Sequence, residues 1–417
     1  MGAMNAGHDF IGNVAILEES LRREYIHKLF FKNWVGEVKL DKGMDPNSRK
    51  YIPSGKMVEV FPYGKEEGRD NILIPFLKNL TGEPVYGDTV LKGTGEELSM
   101  RWLRAYVNQE RKAVMKRTGQ MAEQRAKLYK LYEEAKPQLA LWFSRVTNVE
   151  FFRSVYEGAS ANLTAAQTVD GVGLVKRYHP NFYYMSAAGT ISAVGTEYKT
   201  KTAAELDAAV GNVDGINIDA AGLRKLRTKC INLKIQPVYT KDGNPFFVLV
   251  AHPDQVNTLK ADSDYKAAQR DAFTGKMLDS PELNGAIGYY EGFAIFEEYL
   301  GARGWDTTND NFFGSTMATA FEPTTVTSNA CALVLGAQAI GIAEPRKLHY
   351  TNEEDDHGNI IEIGGARIYG IQRADFVPED DAGESSGDLF YITSSGGVAS
   401  AITCINQSSL ILMTDEN

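Results

Sequence analysis

Apolar residues recur at helical spacing in two long stretches of this chain. In residues 14–35, Leu17, Leu21, Tyr25 and Leu29 fall about a turn apart and predict a helix. In residues 118–157 the stripe runs through Met121, Leu128, Leu131, Ala135, Leu139, Trp142, Phe143, Val146, Val149 and Phe152. That pattern predicts one long helix, which Pro137 should kink or divide. Residues 36–57 lose the pattern, carry Gly43, Pro46, Pro53 and Gly55, and read as an extended arm. From Val58 to Val114 the period shortens. Ile72 to Leu77 is an apolar run, Gly82, Pro84, Gly87, Gly93 and Gly95 punctuate the next stretch, and Leu98, Met100 and Trp102 then alternate with Ser99, Arg101 and Leu103. The pattern predicts a long twisted β-hairpin with too few apolar residues in its middle to bury itself. Such a hairpin is expected to lie on something else, such as another subunit.

From about residue 159 the pattern is mixed α/β. Residues 216–233 read as a helix capped by Asp219, with Leu223, Leu226, Cys230 and Leu233 on one face. Residues 246–251 read as a buried strand, and 253–261 as a short helix opened by Pro253. Residues 288–297 read as two strands around Glu291-Gly292, and 301–328 as an insertion of low hydrophobicity. Strands are expected at 332–335, 359–363, 367–376 and 389–393, with an acidic loop at 378–388. No repeat of 20 to 50 residues is present. The fold class expected is α+β.

Composition changes this picture little. The 417 residues are 43% hydrophobic and 24% charged, enough for a sizeable core in two or three domain-sized units. Charge changes it more. The net charge is −10, yet residues 101–153 hold 12 Lys and Arg against 5 Glu, or +7, and residues 351–417 hold 13 acids against 2 Arg, or −11. The asymmetry implies two surfaces with different electrostatic neighbours, while the acidic whole argues against a dedicated nucleic-acid reader. Three widely spaced cysteines, Cys230, Cys331 and Cys404, form no CxxC pair and fit a reducing compartment. No signal peptide and no apolar run of membrane-spanning length is read, so a cytoplasmic, soluble chain without membrane partners is expected.

Candidate chemistry is sparse. The six histidines form no HxxxH or HExxH pattern. His349 and His357 flank Glu353 to Asp356, but Asp356-His357-Gly358-Asn359 reads better as a hairpin turn than as a metal site. Gly171-Val172-Gly173 lacks the third glycine of a dinucleotide loop, and no phosphate-binding GxxxxGK[ST] or GxSxG occurs. No catalytic residue, metal or cofactor is assigned. Lys127, Lys130, Lys136 and Arg145 are read as one basic side of the long helix. That side is either simply solvated or directed at nucleic acid, where cations reduce phosphate repulsion without reading sequence.

The order of elements is the informative part: arm, long hairpin, long helix, mixed α/β region, closing strands. It resembles the HK97-like major capsid fold of tailed phages. Residues 79–114 (NLTGEPVYGDTVLKGTGEELSMRWLRAYVNQERKAV) look like the hairpin return in a podovirus-type capsid subfamily. Residues 246–272, 284–300, 330–343 and 356–376 (DHGNIIEIGGARIYGIQRADF) are similar to later segments in the same order. The resemblance implies an N-terminal arm at 1–57, an E-loop hairpin at 58–117 and a spine helix of the P-domain at 118–158. It further implies a mainly A-domain region at 159–335 and closing P-domain strands with a C-terminal tail at 336–417. Lys65, Lys78, Lys92 and Trp102 become the candidate assembly residues of the hairpin, and the basic helix side becomes a candidate lumen-facing surface. The implied function is a structural, non-enzymatic subunit of a virion, built in the host cytoplasm. It would form hexamers and pentamers of an icosahedral shell around double-stranded DNA, with scaffolding, portal and decoration proteins as further partners. The alternatives are an encapsulin-type nanocompartment shell and a soluble acidic α/β enzyme.

Overall fold

The computed structural model describes residues 21–41, 50–52, 54–61, 71–77, 84–86, 100–116, 131–158, 168–169, 172–173, 178–186, 189–201, 203–210, 213, 217–240, 243–272, 284–298, 329–355, 360–375 and 404–415. Their helices are α1 (residues 21–27), α2 (Leu131–Glu157), α3 (Ala203–Val210), α4 (Ala220–Asn232), α5 (Pro253–Ala261) and α6 (Ser263–Ala272). The strands begin with β1 (Val35–Glu37), β2 (Lys39–Asp41), β3 (Lys50–Ile52), β4 (Val58–Phe61), β5 (Asn71–Leu77), β6 (Met100–Tyr106) and β7 (Asn108–Lys116). Next come β8 (Thr168–Val169), β9 (Val172–Gly173), β10 (Phe182–Met185), β11 (Ile191–Ala193), β12 (Val238–Tyr239), β13 (Pro245–Ala251), β14 (Gly288–Tyr290) and β15 (Phe293–Glu297). The last four are β16 (Asn329–Leu335), β17 (Ile340–Asp355), β18 (Ile360–Arg373) and β19 (Ser409–Asp415).

The larger sheet has eight strands in the order β11-β10-β19-β16-β13-β15-β14, with β12 on β13. Its middle strands are apolar on both faces, because both faces are covered. Phe246, Val248 and Val250 of β13 share one core with Leu333 of β16 and Ile411 of β19. Phe247 and Leu249 point the other way, into a core completed by Leu223, Leu226 and Cys230 of α4. Asp219 caps α4 as its sequence predicts, its carboxylate accepting from the Gly222 N–H at 2.6 Å. The expected helix from Pro253 and the two strands around Glu291-Gly292 are also present. Both turn residues have positive φ, as a tight two-residue hairpin turn requires.

The smaller sheet runs β1-β4-β17-β18-β7. The α2 helix packs along it. The carboxyl-terminal half of α2, through Phe151, Phe152, Val155 and Tyr156, joins the core that also lines the larger sheet. Its amino-terminal half, through Leu139, Ala140 and Phe143, packs on Leu348, Tyr350 and Ile363 of the β17–β18 hairpin. Contact there is close: a Cβ added at Gly365 would come within 2.7 Å of the Phe143 ring.

Several expectations need correction. The first helix ends by residue 27 rather than near 35, because Phe31 and Trp34 turn inward, Phe31 stacking on Phe151 at 4.4 Å. The arm expected from residue 36 instead supplies β1, which pairs in parallel with β4. Pro137 lies inside α2 without dividing it. Trp142 is only partly buried, whereas its neighbour Phe143 is fully buried. The hairpin expected over 58–117 is narrower, since β4 and β7 belong to the five-stranded sheet and only β5 and β6 form a separate ribbon. Strand β17 extends to 16 residues, where the sequence pattern reads the hairpin turn at 356–359 that follows it but not the length of the strand before. Finally, Ser409–Asp415, in the stretch expected to be closing strands and tail, lies in the larger sheet between β10 and β16. The insertion at 301–328, the acidic loop at 378–388 and the strand expected at 389–393 lie outside the described residues.

Candidate assembly surface

Strands β5 and β6 pair antiparallel over seven positions, from Asn71 opposite Tyr106 to Leu77 opposite Met100. They form a two-stranded sheet of their own, roughly 20 Å long at a rise of about 3.4 Å per residue. Trp102 sits on β6 opposite Pro75. Proline lacks a ladder donor and is tolerated because this ribbon consists only of edge strands. Lys65, Lys78 and Lys92 lie outside the described residues. At its base the ribbon is anchored, for Tyr106 and Val107 are buried.

Of the four cations assigned to the basic helix side, Lys127 and Lys130 lie outside the described residues. Lys136 and Arg145 lie on α2, and both are half-buried. They are nine positions apart, which is two and a half turns at 3.6 residues per turn. The two therefore project from opposite sides of the helix, and the single basic side expected from the sequence does not include both.

The structure also contains buried ionic groups that no sequence motif announces. Arg367 on β18 is 1% exposed. Its Nε donates to Glu110 of β7 at 2.7 Å, and its Nη1 donates to the Tyr25 hydroxyl of α1 at 2.8 Å and to Thr147 Oγ1 of α2 at 2.7 Å. The guanidinium lies 3.6 Å from the Tyr369 ring centroid. One side chain thus ties together four elements. Arg373 has a matching role at the end of α2, donating to the Tyr156 carbonyl at 3.2 Å and to the Val155 carbonyl while gripping Asp375. A cation at free helix carbonyls is favourable both as a cap and against the helix dipole. Asn406 Nδ2 donates to the same Asp375 at 2.8 Å, and Asn181 Nδ2 donates to the Asn406 carbonyl at 2.7 Å. His179 completes this clasp. Its Nδ1 accepts from the Asn181 N–H at 3.0 Å, so Nε2 carries the proton and donates to Ser409 Oγ at 2.8 Å. Burial, reinforced by Arg373 and Lys201, holds the His179 pKa well below the usual imidazole value. The only sequence signal for these groups is a cation within an otherwise apolar strand.

Among the described residues no cluster of His, Cys, Asp or Glu is arranged to hold a metal. The framework is built to hold two sheets and a helix in register. A family model described as phage capsid protein matches residues 54–393. The chain belongs to the phage capsid protein family. None of the curated proteins matches its sequence. Solved structures agree on the fold. The capsid of Ralstonia phage GP4 superposes with a TM-score of 0.61 at 14% identity, covering 93% of this chain and 91% of that one. The acid-stable capsid of Helicobacter pylori bacteriophage KHP30 gives 0.55 at 13%, over 93% and 91%. The capsid asymmetric unit of cyanophage Pam1 gives 0.52 at 15%, over 90% and 99%. The fold is thus the HK97-like capsid fold, mixed α+β as expected. As a phage capsid protein the chain is a structural component that works as one of many like copies, not an enzyme.

Proposed function

We propose that this phage capsid protein assembles into hexamers and pentamers of an icosahedral shell enclosing double-stranded DNA, in a tailed phage of the podovirus type, with assembly in the host cytoplasm. The β5–β6 ribbon carries the reading. Two strands alone are at best marginally stable in water, and this pair belongs to neither of the chain's large sheets. A neighbouring subunit is the natural cover, with Trp102 on the ribbon as a contact residue and Lys65, Lys78 and Lys92 in the adjoining segments. Scaffolding, portal and decoration proteins would be the further partners of such a shell. The excess of cations in residues 101–153 fits an interior facing phosphate, to which binding is non-specific and weakened by salt. Because Lys136 and Arg145 diverge, only one of them can line that interior. The test is particle mass by sedimentation and electron microscopy, followed by nuclease treatment of particles from infected cells. Closed shells holding nuclease-protected DNA are expected. A small oligomer of fixed size would refute the reading, and shells filled with protein cargo would favour a nanocompartment.

A further inference from the structure

Alongside α2, strands β7, β18 and β17 run together as a three-stranded blade. Strand β18 pairs with β7 from Tyr369 to Ile361 and with β17 as far as Asp355 opposite Ile360. On its far side β17 pairs with β4 only over Ile340 to Ala343. Farther along, the Leu348 carbonyl accepts from Arg22 Nε at 2.7 Å. Among the described residues no strand lies along β7 on the side away from β18, or along β17 beyond Ala343. Among the described residues the two outer strands of the blade thus lack a sheet partner along these edges, each a template for further contact.

The two edges differ in charge. One face of the blade is covered by α2: Lys112 reaches over the Trp142 ring, and Tyr350 and Ile363 are in the core beneath the helix. Strand residues alternate between faces, so Arg111 and Glu353 both point to the other face, and both are exposed. Arg111 is aligned with Ala366 and His349, whereas Glu353 is four positions farther toward the blade's end. Strand spacing and rise put them on the order of 15 Å apart, too far to pair within one copy. Glu353 is instead directly opposite Glu362, with Met115 opposite Glu362 on the next strand. Like charges at directly opposed positions destabilise a sheet. The far end of the β17 edge continues acidic through Glu354 and Asp355, past Arg346 and Lys347 at its near end, and the opposite edge carries Arg111, Lys112 and Lys116 beside a Glu110 already bound to Arg367.

We propose that a second copy of this chain docks on the blade edge to edge, with Arg111 of one copy meeting the Glu353–Glu362 pair of the next. The inference rests on the self-assembly reading and names a contact surface for it. A contact that joins two different edges is heterologous, so each added copy offers the same edge again, and repetition builds a ring where the rotation between copies closes. Charge complementarity selects the head-to-tail arrangement, since two acidic or two basic edges brought together would repel.

The test is a charge exchange in the full chain. Arg111→Glu and Glu353→Arg are made singly and together, with folding checked by circular dichroism and thermal melting and assembly by sedimentation. Each single variant is expected to stay folded and to lose the fast-sedimenting particle peak, and the combined variant to recover it. If Arg111→Glu itself fails to fold, Arg111→Gln takes its place and should need a higher protein concentration than the parent to form particles. Normal assembly of the Arg111 variants, or no recovery in the combined variant, overturns the docking surface while leaving the shell reading intact. A parent chain that forms no particles overturns the shell reading itself.

Discussion

At the scale of single residues, buried charge governs much of the stability. Arg367 has its guanidinium enclosed by Glu110, Tyr25, Thr147 and Tyr369. Removing one partner of such a group costs about 3–5 kcal/mol, because the other is left buried without compensation. Arg367→Ala should lower unfolding free energy by that amount in denaturant titrations of the unassembled subunit, and Arg367→Met by less because it refills the volume. The two aromatics of α2 should separate as well. Phe143→Ala should cost about 3–5 kcal/mol as a fully buried site, and Trp142→Ala clearly less, since part of that ring already meets solvent. An equal loss at both positions would mean that the exposed part of Trp142 is covered in solution. His179 gives a pH dependence of definite sign. Its folded pKa is depressed below the unfolded value of about 6.5, so the unfolded chain takes up the proton first. The stability it contributes is fully present above about pH 6.5 and is lost as pH falls from there through the folded pKa. Melting temperature should therefore fall more steeply with acid in the parent than in His179→Asn, which can still accept from the Asn181 N–H but cannot titrate. Parallel curves would show that His179 is not the group responsible. Of these residues, Trp142 and Phe143 show in the apolar stripe of the sequence, whereas Arg367 and His179 do not stand out. Arg367 and Arg373 read there as ordinary members of a strand, because burial of a charge depends on distant elements that no local pattern encodes.

At the scale of elements the sequence is most legible where periodicity and punctuation agree. The α4 helix can be read from Asp219 and its apolar face, and β13 from a run too apolar to touch water. Replacing Asp219 by Ala should cost about 1 kcal/mol, the usual value of an N-cap, seen as a shifted denaturation midpoint with an unchanged slope. Legibility fails where tertiary contacts decide. Phe31 and Trp34 continue a helical pattern in the sequence, yet the chain leaves the helix to bury them against Phe151 and Phe296. Strand β17 escapes a reading by pattern because Glu344, Pro345, Arg346 and Lys347 break its apolar alternation, and the structure absorbs them with register shifts between Ala343 and His349. The hairpin is recognisable as an element, but its limits are not, since nothing local distinguishes a strand that joins a sheet from one that leaves it. Excising residues 71–105 and bridging the gap with a short Gly-Ser linker should leave a folded monomer that makes no shells. Shell formation by that variant would remove the ribbon from assembly.

For the whole molecule, the order of parts is legible in the sequence and their closure is not. The pattern gives an arm, a hairpin, a long helix, a mixed α/β region and closing strands in succession. The structure instead fastens them with one shared core, with the Arg373–Asp375–Asn406 clasp, and with β19 seated between β10 and β16. A chain ending before Ser409 would leave a gap in the middle of the larger sheet, exposing Leu333 and Val334 on β16 and Phe182 on β10. It should be recovered as insoluble protein, whereas a cut on the solvent side of a domain would be tolerated.

The seat of β19 also sets a clock. Phe182 and Ile411, paired in the finished sheet, are 229 positions apart in the chain. At ribosomal rates of about 5–20 residues per second, the first waits roughly 10–50 s for the second to be made. During that interval the sheet has no centre, and β10, joined later by β16, must be shielded by something other than its final neighbour. A subunit built this way cannot finish its larger sheet until Ile411 has been made.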